Sequence, residues 1–298
     1  MQKSAFFPHV LMAVWALLIA ASFPVAQMIS PQIDAAGLTS LRFLLAALLF
    51  LPWLAWRGEL SLPQRSETLR YAVLATLLVA YFWALFHTLK HSSALNAGML
   101  YTLTPALSAG LSFFLLREKP GARLMLGMGA GLLGALWVLL HSTPAGALRW
   151  QPADALFVAG CACMAGHGVL SRLFRPQLPQ QRSAAFITFW VLLLGGLAML
   201  GLTLLLQDGV LDWGRLQGSE WGALLYLTLG ATCLSFWLTQ YGIKRLGPTV
   251  VMSYSYLTPA LVLLLNFLFW QRPAPGAALP GVALSLLAPL LLARVRSA

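Results

Sequence analysis

The chain has 298 residues, 59% of them hydrophobic and 9% charged, with a formal net charge of +11. Soluble domains carry about 25% charged residues, so this composition excludes an ordinary globular protein and makes lipid the solvent. It also excludes nucleic acid as the reason for the charge. The basic residues are not gathered on one polar face but sit between apolar runs, as in loops beside an anionic membrane surface.

A helix needs about 20 apolar residues to cross the hydrocarbon. Ten segments meet that length: 8–29, 36–56, 69–90, 94–116, 122–141, 152–174, 184–206, 219–243, 248–270 and 275–294. Turn residues punctuate the gaps, as at Ser30-Pro31, Arg57-Gly58, Lys119-Pro120-Gly121 and Gly247-Pro248. The predicted fold is therefore all-α and integral to the membrane, with ten transmembrane helices.

Span one is too long for a signal-peptide core and is not followed by an Ala-x-Ala site, so it reads as a retained helix. Trp15 lies well inside it. Span two carries Arg42 about two turns from one face. An intramembrane cation is a functional candidate by default. Its guanidinium suits a substrate carboxylate, or it serves structure by snorkelling outward or pairing with Asp34. Trp53 and Trp56 end this span and, with Trp150, Trp213 and Trp221, read as interfacial anchors.

Span three holds Trp83 and His87. Span four holds Tyr101 and Thr102, with Pro105 behind them. Span five contains Gly127-Met-Gly-Ala-Gly-Leu-Leu-Gly134, a small-residue face for close helix packing within or between protomers, which makes a homodimer one expectation. No strand precedes it, so it is not a nucleotide loop. Span six holds His167 with Cys161 and Cys163, and span eight holds Cys233, Trp237, Gln240 and Tyr241. The cysteines read as small packing residues, because no ligand partner stands at a metal-site spacing. No metal or cofactor is expected. His87 and His167 can exchange protons near neutrality, or remain neutral hydrogen bonders between helices. No Asp or Glu falls mid-span, so either one of these histidines carries a proton or the protein is a facilitator driven by the substrate gradient. Span nine places Tyr254 and Tyr256 before Pro259. Trp15, Trp83, Trp237, Tyr101, Thr102, Tyr241 and Tyr256 form the aromatic and polar lining expected of a pocket for a small-molecule substrate.

With ten spans, both termini share a side. Fourteen Lys and Arg fall on that side, against Lys90, Arg149, Arg215 and Arg272 on the other. The positive-inside rule makes the richer side cytoplasmic and predicts a multi-pass protein of the cell inner membrane.

Leu-Thr-Pro-Ala-Leu at 103–107 recurs at 257–261, 154 positions later. Sliding 69–139 onto 223–293 without a gap also matches Phe82-Trp83 with Phe236-Trp237, Lys90 with Lys244, Phe113 with Phe267 and Gly127 with Gly281. Five is odd, so the two halves, 1–145 and 146–298, are predicted to be inverted repeats, an architecture of secondary transporters. Pro105 and Pro259 become equivalent helix-kinking positions. Each removes a backbone hydrogen bond, with Thr104 and Thr258 as local partners for the freed carbonyl.

On these motifs the chain resembles the EamA-type branch of the drug/metabolite transporter superfamily. "LTSLRFLLAALLFLPWL" in span two carries the resemblance, as does "YTLTPAL" followed by "LLREKPGARLMLGMGAGLLGALWVLL", with its echo at 255–293. The resemblance implies small-metabolite transport, often export of amino acids or related compounds, through a cavity lined by spans one, three, four, six, eight and nine. It departs from the pattern where Glu118 finds Arg272 at the equivalent position. An integral-membrane enzyme acting on lipid would need a convergent acid–base constellation, and none is evident. A non-transporting membrane protein would leave the inverted repeat without a purpose.

Overall fold

The computed structural model describes residues 6–29, 35–92, 94–119, 121–142, 151–177, 182–206, 218–271 and 275–292. Every regular element among them is helical. Nine stretches are long and apolar enough to cross a membrane, and a shorter apolar helix, Gly276–Ala288, follows them.

The first three are single helices: α1 (Phe6–Ile29), α2 (Ala35–Trp56) and α3 (Arg65–Leu89). The start of α3 is set by a capping box. Glu67 accepts the Gln64 backbone N–H at 2.7 Å, supplying negative charge where the helix dipole is positive. The fourth stretch is interrupted. α4 (Ala94–Tyr101) stops before Pro105, and α5 (Thr104–Leu111) restarts with that proline in its first turn. Between them the ladder tightens to i→i−3 bonds, Thr102 N–H to Met99 O at 2.9 Å and Leu103 N–H to Leu100 O at 3.0 Å. α5 then widens into a π turn at Ser112–Leu116.

α6 (Ala122–Ser142), α7 (Pro152–Phe174) and α8 (Ala184–Leu206) are continuous. Pro152 and the Asp154–Gln151 capping box start α7 by the same device as α3. The eighth stretch is α9 (Gly218–Thr228), a π segment Leu229–Leu234, and α10 (Ser235–Leu246). The ninth is α11 (Pro248–Ser253), a tight 3₁₀ turn Tyr254–Leu257, and α12 (Thr258–Trp270). α13 (Leu279–Leu292) comes last.

Pro105 and Pro259 thus sit in the first turn of restarted helices, where a missing N–H is tolerated. The residues capping those helices, Leu103 and Leu257, share one conformation, φ/ψ −72/−22° and −72/−20°. Neither the Thr104 nor the Thr258 hydroxyl bonds a freed carbonyl, and both are buried without a hydrogen bond among the described residues. At the second break the carbonyl freed by Pro259, Ser255 O, takes the Thr258 backbone N–H instead. Each restarted segment also ends on a left-handed residue that is not glycine, Arg117 at φ 56° and Gln271 at φ 51°.

The small-residue face of α6 is used within the chain. Gly131 lies under the ring of Tyr256, where a Cβ would meet the ring at 2.4 Å. Gly134 meets α13 backbone to backbone: a Cβ there would lie 2.6 Å from Ser285 N and 2.7 Å from Gly281 O. A main-chain neighbour cannot swing aside. Gly134→Ala is therefore expected to destabilise by about 1–3 kcal/mol, the usual cost of overpacking. A thermal unfolding midpoint unchanged from the parent would overturn this.

Candidate functional site

The core of the bundle is aromatic. Phe43 of α2 meets Phe82 of α3 edge-on at 5.3 Å, and Phe82 meets Phe236 of α10 at 5.8 Å. Beside this cluster runs a crevice. α1 contributes Trp15, Ile19 and Ser22, and α3 contributes Tyr81, Phe82 and Leu85. Tyr101 comes from α4 and Met164 from α7. Ala231 of the π segment and Ser235, Phe236 and Thr239 of α10 close it. These are the first, third, fourth, sixth and eighth spans. The ninth, also expected, supplies none of these residues. The walls stand so close that the space holds roughly one water molecule.

Besides the phenols Tyr81 and Tyr101, three aliphatic hydroxyls line the crevice, and each of the three spends its hydrogen on its own helix. Ser22 donates to Ile19 O at 2.7 Å, Ser235 to Ala231 O at 2.6 Å and Thr239 to Ser235 O at 2.8 Å. They face the space as acceptors. Trp15 and Tyr101 are fully buried, and neither the Trp15 Nε1 nor the Tyr101 hydroxyl has a hydrogen-bond partner among the described residues.

The other predicted site residues lie elsewhere. Trp83 is 37% exposed. It stacks on His87 at 5.5 Å, and His87 meets His91 at 5.2 Å, forming a ladder along the outside of α3. Trp237 stacks on Tyr241 at 5.7 Å, with Arg245 5.7 Å from the Tyr241 ring. The inward positions belong to the preceding phenylalanines, because one residue turns a helix by about 100°. Tyr256 is held against Gly131, away from the crevice. Thr102 is tied to the α4 break by its 2.6 Å bond to Met99 O.

His167 stands one layer behind the wall, edge-on to Phe236 at 6.3 Å. Its Nδ1 is 3.0 Å from Leu74 O, and Gln240 Nε2 lies 3.4 Å from its Nε2. Since a carbonyl only accepts, Nδ1 carries the proton and Nε2 accepts from Gln240, whose amide also donates to Ser171 at 3.2 Å. Both nitrogens of the neutral ring are engaged.

Arg42 does not line the crevice either. It is 1% exposed, and neither snorkels nor reaches an acidic partner among the described residues; Asp34 lies outside them. Its guanidinium lies 5.0 Å from the Phe82 ring centre and 5.3 Å from that of Phe86. Nε and Nη2 both donate to Thr232 Oγ1, at 3.2 and 2.8 Å, and Nη2 reaches Leu227 O at 3.4 Å. Thr232 donates to the same carbonyl at 2.7 Å. A π segment shifts the backbone ladder by one residue, and Arg42 braces the segment where it does so.

One polar cluster had no sequence signal beyond the capping box. Glu67 is buried, and Arg182, before α8, clamps it through two bonds of 3.0 and 3.1 Å. Arg182 also donates to Ser61 at 2.7 Å and lies 4.1 Å from the Phe186 ring centre. Nearby, Ser183 donates to Glu59, which pairs with Arg57 at 3.0 Å. The hydrogen bond that Arg182 donates to the Glu67 carboxylate holds its guanidinium above its ordinary pKa. This network fastens the 57–64 loop to the start of α8.

Long apolar helices around a small aromatic crevice define a multi-pass membrane protein. The chain belongs to the EamA-like transporter family, whose sequence model matches it twice, over residues 7–140 and 151–294. It is similar to the uncharacterized transporter YyaM of Bacillus subtilis (strain 168), 22% identical over 263 residues, covering 87% of this chain and 85% of that one. Protein PecM of Dickeya dadantii (strain 3937) is 27% identical over 227 residues, 74% of this chain and 72% of its own. A crystal structure of a protein 23% identical covers 95% of both chains with a TM-score of 0.76, a likeness of fold.

Proposed function

We propose that this protein is a secondary transporter that carries small metabolites across the inner membrane by alternating access. Ten helices form two inverted repeats, 1–145 and 146–298, with both termini cytoplasmic. The observation that carries the reading is the crevice itself, built from α1, α3 and α4 of one half and α7 and α10 of the other, and nearly closed. A site between repeats, sealed in one state and opened by rocking, is how such proteins work.

The repeat is supported by features 154 residues apart. They are the capping pair Leu103 and Leu257, the left-handed pair Arg117 and Gln271, and the stacked pairs Trp83–His87 and Trp237–Tyr241. The orientation rests on the fourteen-to-four basic asymmetry. Alkaline phosphatase fused after Ala298 is expected to be inactive in cells, and periplasmic activity would reverse the topology. The direction, export, follows from the family resemblance, which also implies a range of amino acids or related compounds; the uncharged crevice favours the uncharged members of that range.

The residues lining the crevice include no carboxylate and no histidine, and His167 has both nitrogens engaged. The transporter is therefore read as a facilitator. In proteoliposomes, exchange across a metabolite panel should run equally well with and without a pH difference. His87→Gln and His167→Gln should retain downhill exchange. Accumulation that needs a proton gradient and vanishes in either variant would establish proton coupling instead.

A further inference from the structure

We propose, taking the crevice as the transported substrate's site, that the substrate is an uncharged planar aromatic molecule bearing a hydrogen-bond acceptor. The walls set its shape. Tyr81 and Phe82 meet at 4.9 Å, Tyr81 and Tyr101 at 5.8 Å, and Phe82 and Phe236 at 5.8 Å. These rings close on one another here and become the walls for a flat guest when rocking opens the crevice, with Trp15 as a further wall.

The charge follows from what the wall lacks. None of its described residues is an acid, a lysine, an arginine or a histidine. An ammonium or carboxylate brought there would exchange water for rings and hydroxyls, with no counter-ion to offset desolvation. Arg42 does not serve as one. It lies over Phe82, and its Nε and Nη2 are engaged by Thr232 and Leu227.

The polarity follows from hydrogen-bond arithmetic. Ser22, Ser235 and Thr239 have spent their hydrogens and present lone pairs. Trp15 Nε1–H and the Tyr101 hydroxyl are buried donors without partners among the described residues. Buried donors are nearly always paired, so a guest carbonyl or ring nitrogen supplies what the protein does not. Any N–H on the guest has the three hydroxyl oxygens to choose from.

A matched indole series tests this. Indole-3-acetamide is neutral, tryptamine a cation, indole-3-acetate an anion and tryptophan a zwitterion, all on one ring. With purified full-length protein, indole-3-acetamide should raise the thermal midpoint, as a ligand of the folded state must. It should also show protein-dependent counterflow in vesicles, half-saturating at least tenfold lower than the other three. Tyr101→Phe keeps the ring and removes one donor, Trp15→Phe removes the other donor together with part of the indole, and each should weaken the amide roughly tenfold. The ligand-free midpoint, expected unchanged or higher for Tyr101→Phe and lower by a few degrees for Trp15→Phe, which leaves a small cavity at a fully buried position, shows that each variant folds. Equal or tighter binding of a charged member, no response to the amide, or variants that bind like the parent would overturn the substrate class. Counterflow of tryptophan alone sinks the class and leaves transport standing. An amide that shifts the midpoint, with no exchange of any solute in the wider panel, sinks transport and leaves the ligand class standing.

Discussion

Replacing Arg42 with methionine is expected to abolish transport while leaving the fold standing. A charge buried among apolar helices carries a desolvation penalty of several kcal/mol. Against it stand three hydrogen bonds and two aromatic faces, with no carboxylate partner for Arg42 among the described residues. Leu227 O keeps its bond from Thr232 when Arg42 is removed, so no orphan acceptor is created there. Methionine fills similar volume without the charge. The midpoint should therefore stay within a few degrees of the parent or rise. Transport should fall at least tenfold, because the π segment that seats Ala231 against the crevice loses its brace, and Phe82 loses the cation that orders its outer face. Arg42→Lys should not restore it, since a single ammonium cannot imitate the fork that holds Thr232. A large drop in midpoint would make Arg42 a stability element. Rescue by lysine, confined to KM for an anionic substrate, would make it a binding residue after all.

The second large effect concerns Glu67 and Arg182. Glu67 is 1% exposed at the side chain and Arg182 18%. Truncating Arg182 strands a buried carboxylate whose remaining bond is from the Gln64 N–H. Truncating Glu67 leaves a guanidinium that water can reach. Arg182→Ala should thus cost more, about 3–5 kcal/mol, the range for orphaning one member of a buried pair. Glu67→Ala should cost about 1.5–3 kcal/mol, the worth of hydrogen bonds to charged groups. The double variant should recover much of the loss, giving a large coupling energy in the cycle. Equal single effects that simply add would mean that the pair acts as a surface contact.

Composition and loop charge were enough to place helices in a membrane, because an apolar run of about 20 residues matches the thickness of the hydrocarbon and exceeds what a soluble core helix needs. The interruptions at 101–104 and 254–257 were also legible, since proline cannot donate a ladder bond. The faces were harder to read. The repeat pointed to Phe82-Trp83 and Phe236-Trp237 as pairs, but spacing alone does not say which of two adjacent rings turns inward. The larger, more polarisable tryptophans drew the assignment, and the packing chose the phenylalanines. Trp15 was identified from its depth within its span and Tyr101 from its place before Pro105, and both line the crevice. The Arg42 brace was invisible because its partner, Thr232, is 190 positions away in a segment with no proline or charge to mark it. The Glu67–Arg182 clamp spans 115 positions for the same reason: pairings across a bundle leave no periodic trace.

The π segment at Leu229–Leu234 has a consequence for how this gene tolerates change in length. A π turn holds one residue more than the α-helical path it replaces. Deleting a single codon within it would remove that surplus and let the backbone close as an ordinary α-helix. The faces of α9 and α10 would keep their relation, because the residue lost is the one that the wider turn holds in excess. The same deletion in the continuous helix α3 would misalign its faces with no surplus to absorb it. Span eight therefore has a seam where the loss of one residue need neither break the helix nor misalign its two ends.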